Sequence, residues 1–227
     1  MLALLQGKRM YALFDLDGTV HDKAQSLKAC AESMHNKFLD SGGDANQFID
    51  EFVKENCIIQ PKAKVFENLA SKFNIEPDIE ANMLKYFDES FQNYSKRFDG
   101  VLECMNYLKG EGVKIACVTN GRGFFQRNKI KALGLECFFD VIVTSGELSI
   151  KKPDPIIFNA ALEKLGASSD NSVFIGDNLK ADMEPSKKLG MRTIWVNNKS
   201  NLKPEFVDYK LSSFSEFRDI WQAITRR

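Results

Sequence analysis

Phe14-Asp15-Leu16-Asp17-Gly18-Thr19-Val20 continues an apolar run that begins at Met10. The run indicates a buried strand, and side chains two residues apart on a strand point to the same face. Asp15 and Asp17 therefore share a face, and Gly18 allows the chain to turn sharply after them. An ordinary strand-ending turn would also use an Asp-Gly pair. Because open α/β sheets bind ligands at the carboxyl ends of their strands, the two acids predict a polar site there.

Apolar runs that indicate strands alternate with helical patterns along most of the chain. The predicted strands span 10–15, 113–119, 138–144, 172–176 and 192–196, and the predicted helices span 100–109, 124–133, 155–165, 179–189 and 214–224. Glycines that would end helices in the left-handed conformation stand at Gly110, Gly134, Gly166 and Gly190. This alternation predicts an α/β fold, a doubly wound, mostly parallel Rossmann-like sheet with helices on both faces.

Residues 22–98 interrupt this alternation, because they contain no convincing strand and their apolar residues recur at helical spacing. Breaks near Ser41-Gly42-Gly43, Pro61 and Pro77 predict four or five helices. We interpret the aromatic stripe of this segment as core packing rather than as the lining of a pocket; it comprises Phe87, Phe91, Tyr94 and Phe98. The segment is therefore an all-α insert directly after the first strand.

The composition is that of an ordinary globular chain, with 227 residues, 44% of them hydrophobic. The 31 basic and 31 acidic residues cancel, so the basic excess of a nucleic-acid binder is absent. No apolar run reaches the roughly 18 residues of a membrane span, and the start lacks the pattern of a signal peptide. The five cysteines are odd in number and unclustered, which indicates free thiols. We expect a cytoplasmic protein without a nucleic-acid or membrane partner.

Three further polar stretches follow later predicted strands. Each has an ordinary explanation by itself, as a helix cap, a surface base or a first-turn proline. Their occurrence in this order, each after a strand, predicts one shared site. The stretches are Val118-Thr119-Asn120-Gly121, Lys151-Lys152-Pro153-Asp154-Pro155 and Gly176-Asp177-Asn178-Leu179-Lys180-Ala181-Asp182.

Four acids would gather at this edge of the sheet, namely Asp15, Asp17, Asp177 and Asp182. Two like charges about 4 Å apart repel by ~4 kcal/mol at an effective dielectric constant near 20. Lys152 offers one compensating charge, and oxygen ligands around an open site suit Mg²⁺. An acidic site with a hard cation, a lysine and a hydroxyl indicates phosphoryl chemistry.

These four signals, in this order, resemble the haloacid dehalogenase superfamily of phosphohydrolases, and in particular its phosphoglycolate phosphatase and nucleotidase-like branch. The resemblance covers about Met10 to Val196. It implies a catalytic core formed by residues 1–20 and 99–227, and a helical cap domain formed by residues 21–98. It also implies that the cap closes over the core and selects the leaving group.

The resemblance assigns roles to the site residues. Asp15 would attack phosphorus and form an aspartyl-phosphate, Asp17 would protonate the leaving alkoxide and then activate water, and Lys152 would offset negative charge. The implied phosphate-binding residues are Thr119, Asn120, Gly121 and Lys152. The implied Mg²⁺ ligands are Asp15, Asp17 through its carbonyl oxygen, Asp177 and Asp182, the last directly or through water.

The predicted function is Mg²⁺-dependent hydrolysis of a small phosphomonoester, of the sugar phosphate, phosphoglycolate or nucleotide type. Dehalogenases of this superfamily lack the second acid, because a halide leaves without a proton; Asp17 therefore favours a phosphate ester. A phosphomutase of the β-phosphoglucomutase type is the alternative enzyme. A receiver-like phospho-acceptor module is the alternative from another class, and the long insert disfavours it.

Three residues near these motifs depart from the family's usual pattern, and Lys23 is one of them. His21 follows the first motif, and we interpret it as an exposed linker histidine. Pro185 stands where relatives often have glycine, so the family's pattern does not predict the conformation of the turn after Asp182.

Overall fold

The computed structural model describes residues 9–39, 44–58, 60–197, 199–200 and 202–225. The chain divides into two compact units, one formed by Met1–His21 with Arg97–Arg227, the other by Asp22–Lys96. The predicted break at Ser41-Gly42-Gly43 lies outside the described residues. Among the described helices, none has the length and hydropathy that crossing a bilayer requires.

The larger unit contains a parallel sheet, to which the described residues contribute six strands in the order β3-β2-β1-β4-β5-β6. The first strand is central, since Phe14 pairs with Cys117 on one side and with Ile175 on the other. The predicted fold class is confirmed. The strands are β1 (Tyr11–Phe14), β2 (Lys114–Thr119), β3 (Val141–Thr144), β4 (Ser172–Gly176), β5 (Arg192–Val196) and β6 (Tyr209–Leu211).

The regular elements of the smaller unit, within its described residues, are all helical. Its helices are α1 (Lys23–Phe38), α2 (Ala45–Cys57), α3 (Lys62–Phe73) and α4 (Pro77–Ser90), followed by a 3₁₀ turn at Phe91–Tyr94. The carboxylate of Asp22 caps α1 by accepting from the backbone N–H of Gln25 at 3.0 Å. The phenylalanine rings of this unit pack on one another, with the Phe87 and Phe91 centroids 4.8 Å apart. The predicted stripe ends before Phe98, which packs in the other unit.

The helices of the larger unit cover both faces of its sheet. They are α5 (Val101–Gly110), α6 (Gly123–Ala132), α7 (Ser145–Leu148), α8 (Pro155–Leu165), α9 (Glu184–Lys188) and α10 (Phe217–Thr225). Alternate residues of β1 enter different cores: Ala12 and Phe14 pack with α5 and α10, whereas Tyr11 and Leu13 pack with α8. All four are buried, as a strand covered on both faces requires.

Several predicted boundaries are wrong. Gly110 is the last residue of α5, and the left-handed turn comes at Gly112 with φ of 68°. The third strand begins at Val141, because a 3₁₀ turn occupies Glu136–Phe138. The predicted helix 179–189 is a π-helical turn followed by α9. The sequence analysis missed β6, whose three residues, Tyr209, Lys210 and Leu211, form no apolar run.

Trp221 provides a test of the packing of α10 on the sheet. Its ring is 2% exposed and stacks on Phe217, which lies against Phe14 of β1. We expect Trp221→Ala to lower the free energy of unfolding by about 3–5 kcal/mol, because it leaves a cavity in the core. Urea denaturation measures the loss.

Phe124→Ala is the matched control, since Phe124 is an aromatic residue that is 78% exposed. It should change the free energy of unfolding by less than about 0.5 kcal/mol. Similar losses in the two variants would contradict the packing described for α10.

Candidate active site

The predicted site residues come together because parallel strands end at one edge of the sheet. Asp15 directly follows β1, Thr119 ends β2, and Asp177 directly follows β4. The backbone N–H of Asp15 donates to the carbonyl oxygen of Ile175 at 2.9 Å, which extends the ladder between β1 and β4 by one step. Lys152 reaches the same edge from the loop before α8, where its Nζ lies 2.6 Å from Asp15 Oδ1.

Three carboxylates share this edge, and one lysine lies among them. Oxygens of Asp15, Asp177 and Asp182 all lie within 4.8 Å of one another. Lys152 Nζ contacts Asp182 Oδ1 at 2.7 Å in addition to Asp15, and the Lys152 side chain is 3% exposed. Within the described part of the chain, one ammonium therefore faces three carboxylates in a largely buried site, and the site retains an excess of negative charge.

The pKa values reflect this excess. Burial raises the pKa of Asp15 to about 7; Lys152 opposes the rise, and Asp182 and Asp177 add to it. Burial and the neighbouring Asp182 likewise raise the pKa of Asp177 to about 6. Burial acts to lower the pKa of Lys152, but Asp15 and Asp182 outweigh it and raise that pKa above its usual value. Further positive charge at this edge would favour the ionised acids.

The donor set fits a hard divalent cation. Carboxylate oxygens are the ligands that Mg²⁺ prefers in proteins, and two glycines bring these carboxylates close to the backbone. Gly18 has φ of 87°, and a Cβ there would lie 2.3 Å from Asp177 Oδ2. A Cβ on Gly176 would lie 2.6 Å from Asp182 Oδ2. Larger residues at either position would displace a carboxylate from the group.

The segment after β4 holds two of these acids in place. The Asn178 side chain accepts from the backbone N–H groups of Lys180 and Ala181, and so begins the π-helical turn Leu179–Met183 that carries Asp182. The Asn178 N–H donates to Asp182 Oδ2 at 3.1 Å. Pro185 occupies the first turn of α9, where a helix needs no N–H donor.

A buried tryptophan supports Asp177 from the neighbouring strand. Trp195 of β5 donates its indole N–H to the carbonyl oxygen of Asp177 at 2.8 Å. This hydrogen bond holds the backbone at the residue that follows β4.

Asp17 has an environment of its own. Lys129 Nζ lies 2.6 Å from each of its carboxylate oxygens, and His21 Nδ1 lies 2.5 Å from Oδ1. Burial would raise the pKa of Asp17, but Lys129 and His21 outweigh it and hold that pKa well below its usual value. The sequence analysis named Lys152 as one compensating charge for the acids at this edge; for Asp17 the structure adds a second lysine, Lys129.

The sequence analysis missed Lys129 and Gln126 entirely. Both lie on α6, three residues apart and so on one face of the helix, and both are buried. The sequence feature that could have identified them as site residues was a pair of polar residues on the inward face of a predicted helix. Residue types alone do not separate such a pair from surface residues.

The interpretation of His21 as an exposed linker residue is wrong. Its exposed fraction is 0%. The chain folds back after Asp17, so that the His21 N–H donates to the carbonyl oxygen of Leu16 and the Gly18 N–H donates to that of His21, each at 2.9 Å. This turn directs the imidazole towards the carboxylate of Asp17.

The last residue of β2 and the two residues after it make different contacts. The Thr119 hydroxyl is buried and accepts from Gln126 Nε2 at 2.6 Å. The Asn120 side chain accepts from the Lys152 N–H at 2.8 Å and donates to the Lys152 carbonyl oxygen at 3.0 Å, so it holds the loop that carries Lys152. The Gly121 N–H donates to Ser145 Oγ at 2.9 Å. Thr119 thus faces the site, whereas the Asn120 side chain and the Gly121 N–H stabilise its loops.

Comparison with known proteins identifies the family. Residues 12–196 match the haloacid dehalogenase-like hydrolase family. A glyceraldehyde 3-phosphate phosphatase from Methanocaldococcus jannaschii is 26% identical over 92% of this chain and 95% of its own length. A phosphoglycolate phosphatase from Thiobacillus denitrificans is 29% identical over 78% of each chain. The structure of YfnB from Bacillus subtilis, bound to magnesium, is 22% identical, with a TM-score of 0.75 over 94% of this chain and 99% of that one.

The chain belongs to the haloacid dehalogenase-like hydrolase family, because the match covers most of its length. The resemblance to the haloacid dehalogenase superfamily that the sequence motifs indicated is therefore confirmed. The predicted enzyme class, phosphoric monoester hydrolase, is confirmed by the family together with the phosphatase names of its relatives.

The ion pair between Lys129 and Asp17 generates a prediction on stability. We expect Lys129→Met to lower the free energy of unfolding at pH 7 by about 2 kcal/mol, because it leaves a largely buried carboxylate without its main cation. The loss should shrink between pH 7 and pH 4.5. Without Lys129, only His21 opposes the effect of burial, so the pKa of Asp17 rises. The variant then takes up a proton at higher pH than the wild type, whose pKa is depressed.

Lys131→Met is the control, because Lys131 is an exposed lysine on the same helix. It should change stability by less than about 0.5 kcal/mol at either pH. Denaturant unfolding at several pH values measures both variants, and a pH-independent loss for Lys129→Met would argue against the assigned ion pair.

Proposed function

We propose that this chain is a Mg²⁺-dependent phosphatase that hydrolyses a small phosphomonoester through an aspartyl-phosphate intermediate. One observation carries the proposal: Asp15, buried at the end of the central strand, has its Oδ1 2.6 Å from Lys152 Nζ and lies beside two further acids. A buried carboxylate next to a cation and a candidate metal site has the surroundings of a nucleophile for phosphoryl transfer.

Mg²⁺ would be held by Asp15, Asp177 and the carbonyl oxygen of Asp17. Asp182 would lie behind these ligands or bind the ion through a water molecule. Its two oxygens already contact Lys152 and the Asn178 N–H. When bound, the ion supplies positive charge that lowers the pKa of the acids and offsets the charge of a phosphate group. Lys152 supplies the same kind of compensation from the protein itself.

In the first step, Asp15 attacks phosphorus in line and forms the aspartyl-phosphate. Lys152 binds both Asp15 and the phosphate oxygens, so it stabilises the charge that spreads over the equatorial oxygens. The Thr119 hydroxyl donates to a phosphate oxygen. The backbone of Asn120 and Gly121 forms the rest of the loop around the phosphate.

Asp17 serves as acid and then as base. Its carboxylate, held by Lys129 and His21, is the form that removes a proton from the water of the second step. In the first step it must carry a proton to the leaving alkoxide. A phosphate dianion beside Asp17 raises its pKa by like-charge repulsion, which favours the protonated form that the first step needs. Once that proton has passed to the alkoxide, Asp17 is the carboxylate that the second step needs, and Lys129 stabilises it.

The substrate class is a small phosphorylated metabolite. The relatives named above act, by their names, on glyceraldehyde 3-phosphate and on phosphoglycolate, and both names denote phosphatases. These names favour hydrolysis over the phosphomutase alternative. We assign the choice of leaving group to the helical unit Asp22–Lys96, as the cap domain of the family.

The nucleophile can be tested with p-nitrophenyl phosphate as substrate. Asp15→Asn should lower kcat by about 10⁴-fold or more, because the amide cannot attack phosphorus. Asp17→Asn should accumulate phosphoenzyme, since nitrophenolate leaves without a proton whereas hydrolysis of the intermediate needs a base. Acid-quenched samples analysed by mass spectrometry detect the phosphoryl group.

Asp50→Asn provides the control, because Asp50 is an exposed acid on α2. This variant should retain wild-type turnover and show no trapped phosphoryl group. Substantial turnover by Asp15→Asn, with intact folding, would refute the assigned nucleophile.

Mg²⁺ binding should weaken as the pH falls. The pKa values of Asp15 and Asp177, about 7 and about 6, mean that both acids take up protons that the ion must displace. Between pH 8 and pH 5.5 the affinity for Mg²⁺ should fall by about 30-fold or more. Isothermal titration calorimetry measures the affinity at each pH, and Asp177→Asn should lose most of it. Affinity independent of pH would show that these acids do not hold the ion.

A further inference from the structure

The side chain of Gln126 joins three parts of the site. Gln126 is 2% exposed, and its Nε2 lies 2.6 Å from Thr119 Oγ1, 3.1 Å from the carbonyl oxygen of Asn120 and 3.2 Å from Asp17 Oδ2. Gly121, with φ of 147°, provides the space, since a Cβ there would lie 2.9 Å from Gln126 Cδ. The amide therefore occupies a site shaped for it, next to the loop that follows β2.

The partners of Gln126 determine which way its amide faces. The carboxylate of Asp17 and the carbonyl oxygen of Asn120 carry no proton, so the group turned towards them has to be the NH₂ group. The same nitrogen lies 2.6 Å from the Thr119 hydroxyl, the nearest of the three acceptors that share its two N–H protons. An amide nitrogen accepts no proton, so the Thr119 hydroxyl cannot donate to it. A hydroxyl has one proton, and that proton must point away from Gln126.

We propose that Gln126 is a positioning residue that turns the Thr119 hydroxyl proton towards a phosphate oxygen of the substrate. The inference rests on the proposed function, because it takes Thr119 as a phosphate contact. A hydroxyl without a fixed partner rotates, and orienting it before the phosphate binds avoids reorganisation during the reaction. Gln126 acts chiefly through Thr119, since Lys129 and His21 hold Asp17 at shorter distances.

A double-mutant cycle tests this assignment, with inhibition by inorganic phosphate in the presence of Mg²⁺ as the readout. Gln126→Met removes the donor and keeps the side-chain length, and it should raise the inhibition constant of phosphate by about 10-fold or more. Thr119→Val removes the hydroxyl and should raise it at least as much. In the Thr119→Val background, Gln126→Met should add less than about 2-fold, because the contact through which it acts is gone.

Gln126→Glu adds a sharper comparison, with Asn128→Asp as the control on the same helix. The new carboxylate accepts the Thr119 proton and draws it away from phosphate, so phosphate inhibition should weaken more than in Gln126→Met. Asn128→Asp makes the same change of an amide to a carboxylate on a partly exposed residue, and should leave inhibition unchanged. An undiminished effect of Gln126→Met in the Thr119→Val background would overturn the proposal.

Neutron crystallography of the wild-type protein, soaked with Mg²⁺ and inorganic phosphate, gives an answer even if the variants fail to fold. The proposal requires the Thr119 hydroxyl deuteron to lie on the line to a phosphate oxygen, with a Gln126 deuteron directed at Thr119 Oγ1. A Thr119 deuteron directed at Gln126 would overturn it. Absence of phosphate from the site, with no inhibition of the wild type, would instead contradict the proposed function.

Discussion

Repulsion between buried carboxylates is the constraint on which the rest of the site depends. Asp15, Asp177 and Asp182 meet at the edge of the sheet because parallel strands end there, and burial makes each negative charge costly. Lys152, in contact with Asp15 and Asp182, reduces this cost without removing it. Under the proposed function, the remaining negative charge would give the site its affinity for a cation, and through the cation for phosphate.

A second lysine separates the two acids of the first motif. Lys152 lies with Asp15, whose pKa is raised, whereas Lys129 lies with Asp17, whose pKa is lowered. Two carboxylates two residues apart in sequence thus have pKa values that are shifted in opposite directions. Such a division between neighbouring acids is a common basis for giving them different tasks in catalysis. The turn at Gly18 makes the division possible, because it directs the chain back to place His21 beside Asp17.

Side-chain hydrogen bonds organise the loops around these charges. Asn120 holds the loop of Lys152, Asn178 begins the turn that carries Asp182, and Trp195 holds the backbone at Asp177. The Asn120 and Trp195 contacts join distant parts of the chain, whereas the Asn178 contacts lie within the one segment that follows β4. The positions of the reacting groups therefore depend on side chains that would not themselves touch phosphate.

Much of this arrangement follows from the sequence by itself. Apolar runs of the right length predicted β4 and β5 at their observed bounds, and the order of polar stretches after strands predicted that Asp15, Thr119, Lys152 and Asp177 share an edge. Both patterns are local in sequence. The polar stretches come together in one site because the parallel strands that precede them end at the same edge of the sheet. Only the tertiary structure decided the partners of Asp17, because the contacts of Lys129 and Gln126 span more than a hundred residues of chain. Whether a polar residue on a helix faces solvent or a buried carboxylate depends on what packs against it, and no local pattern contains that information.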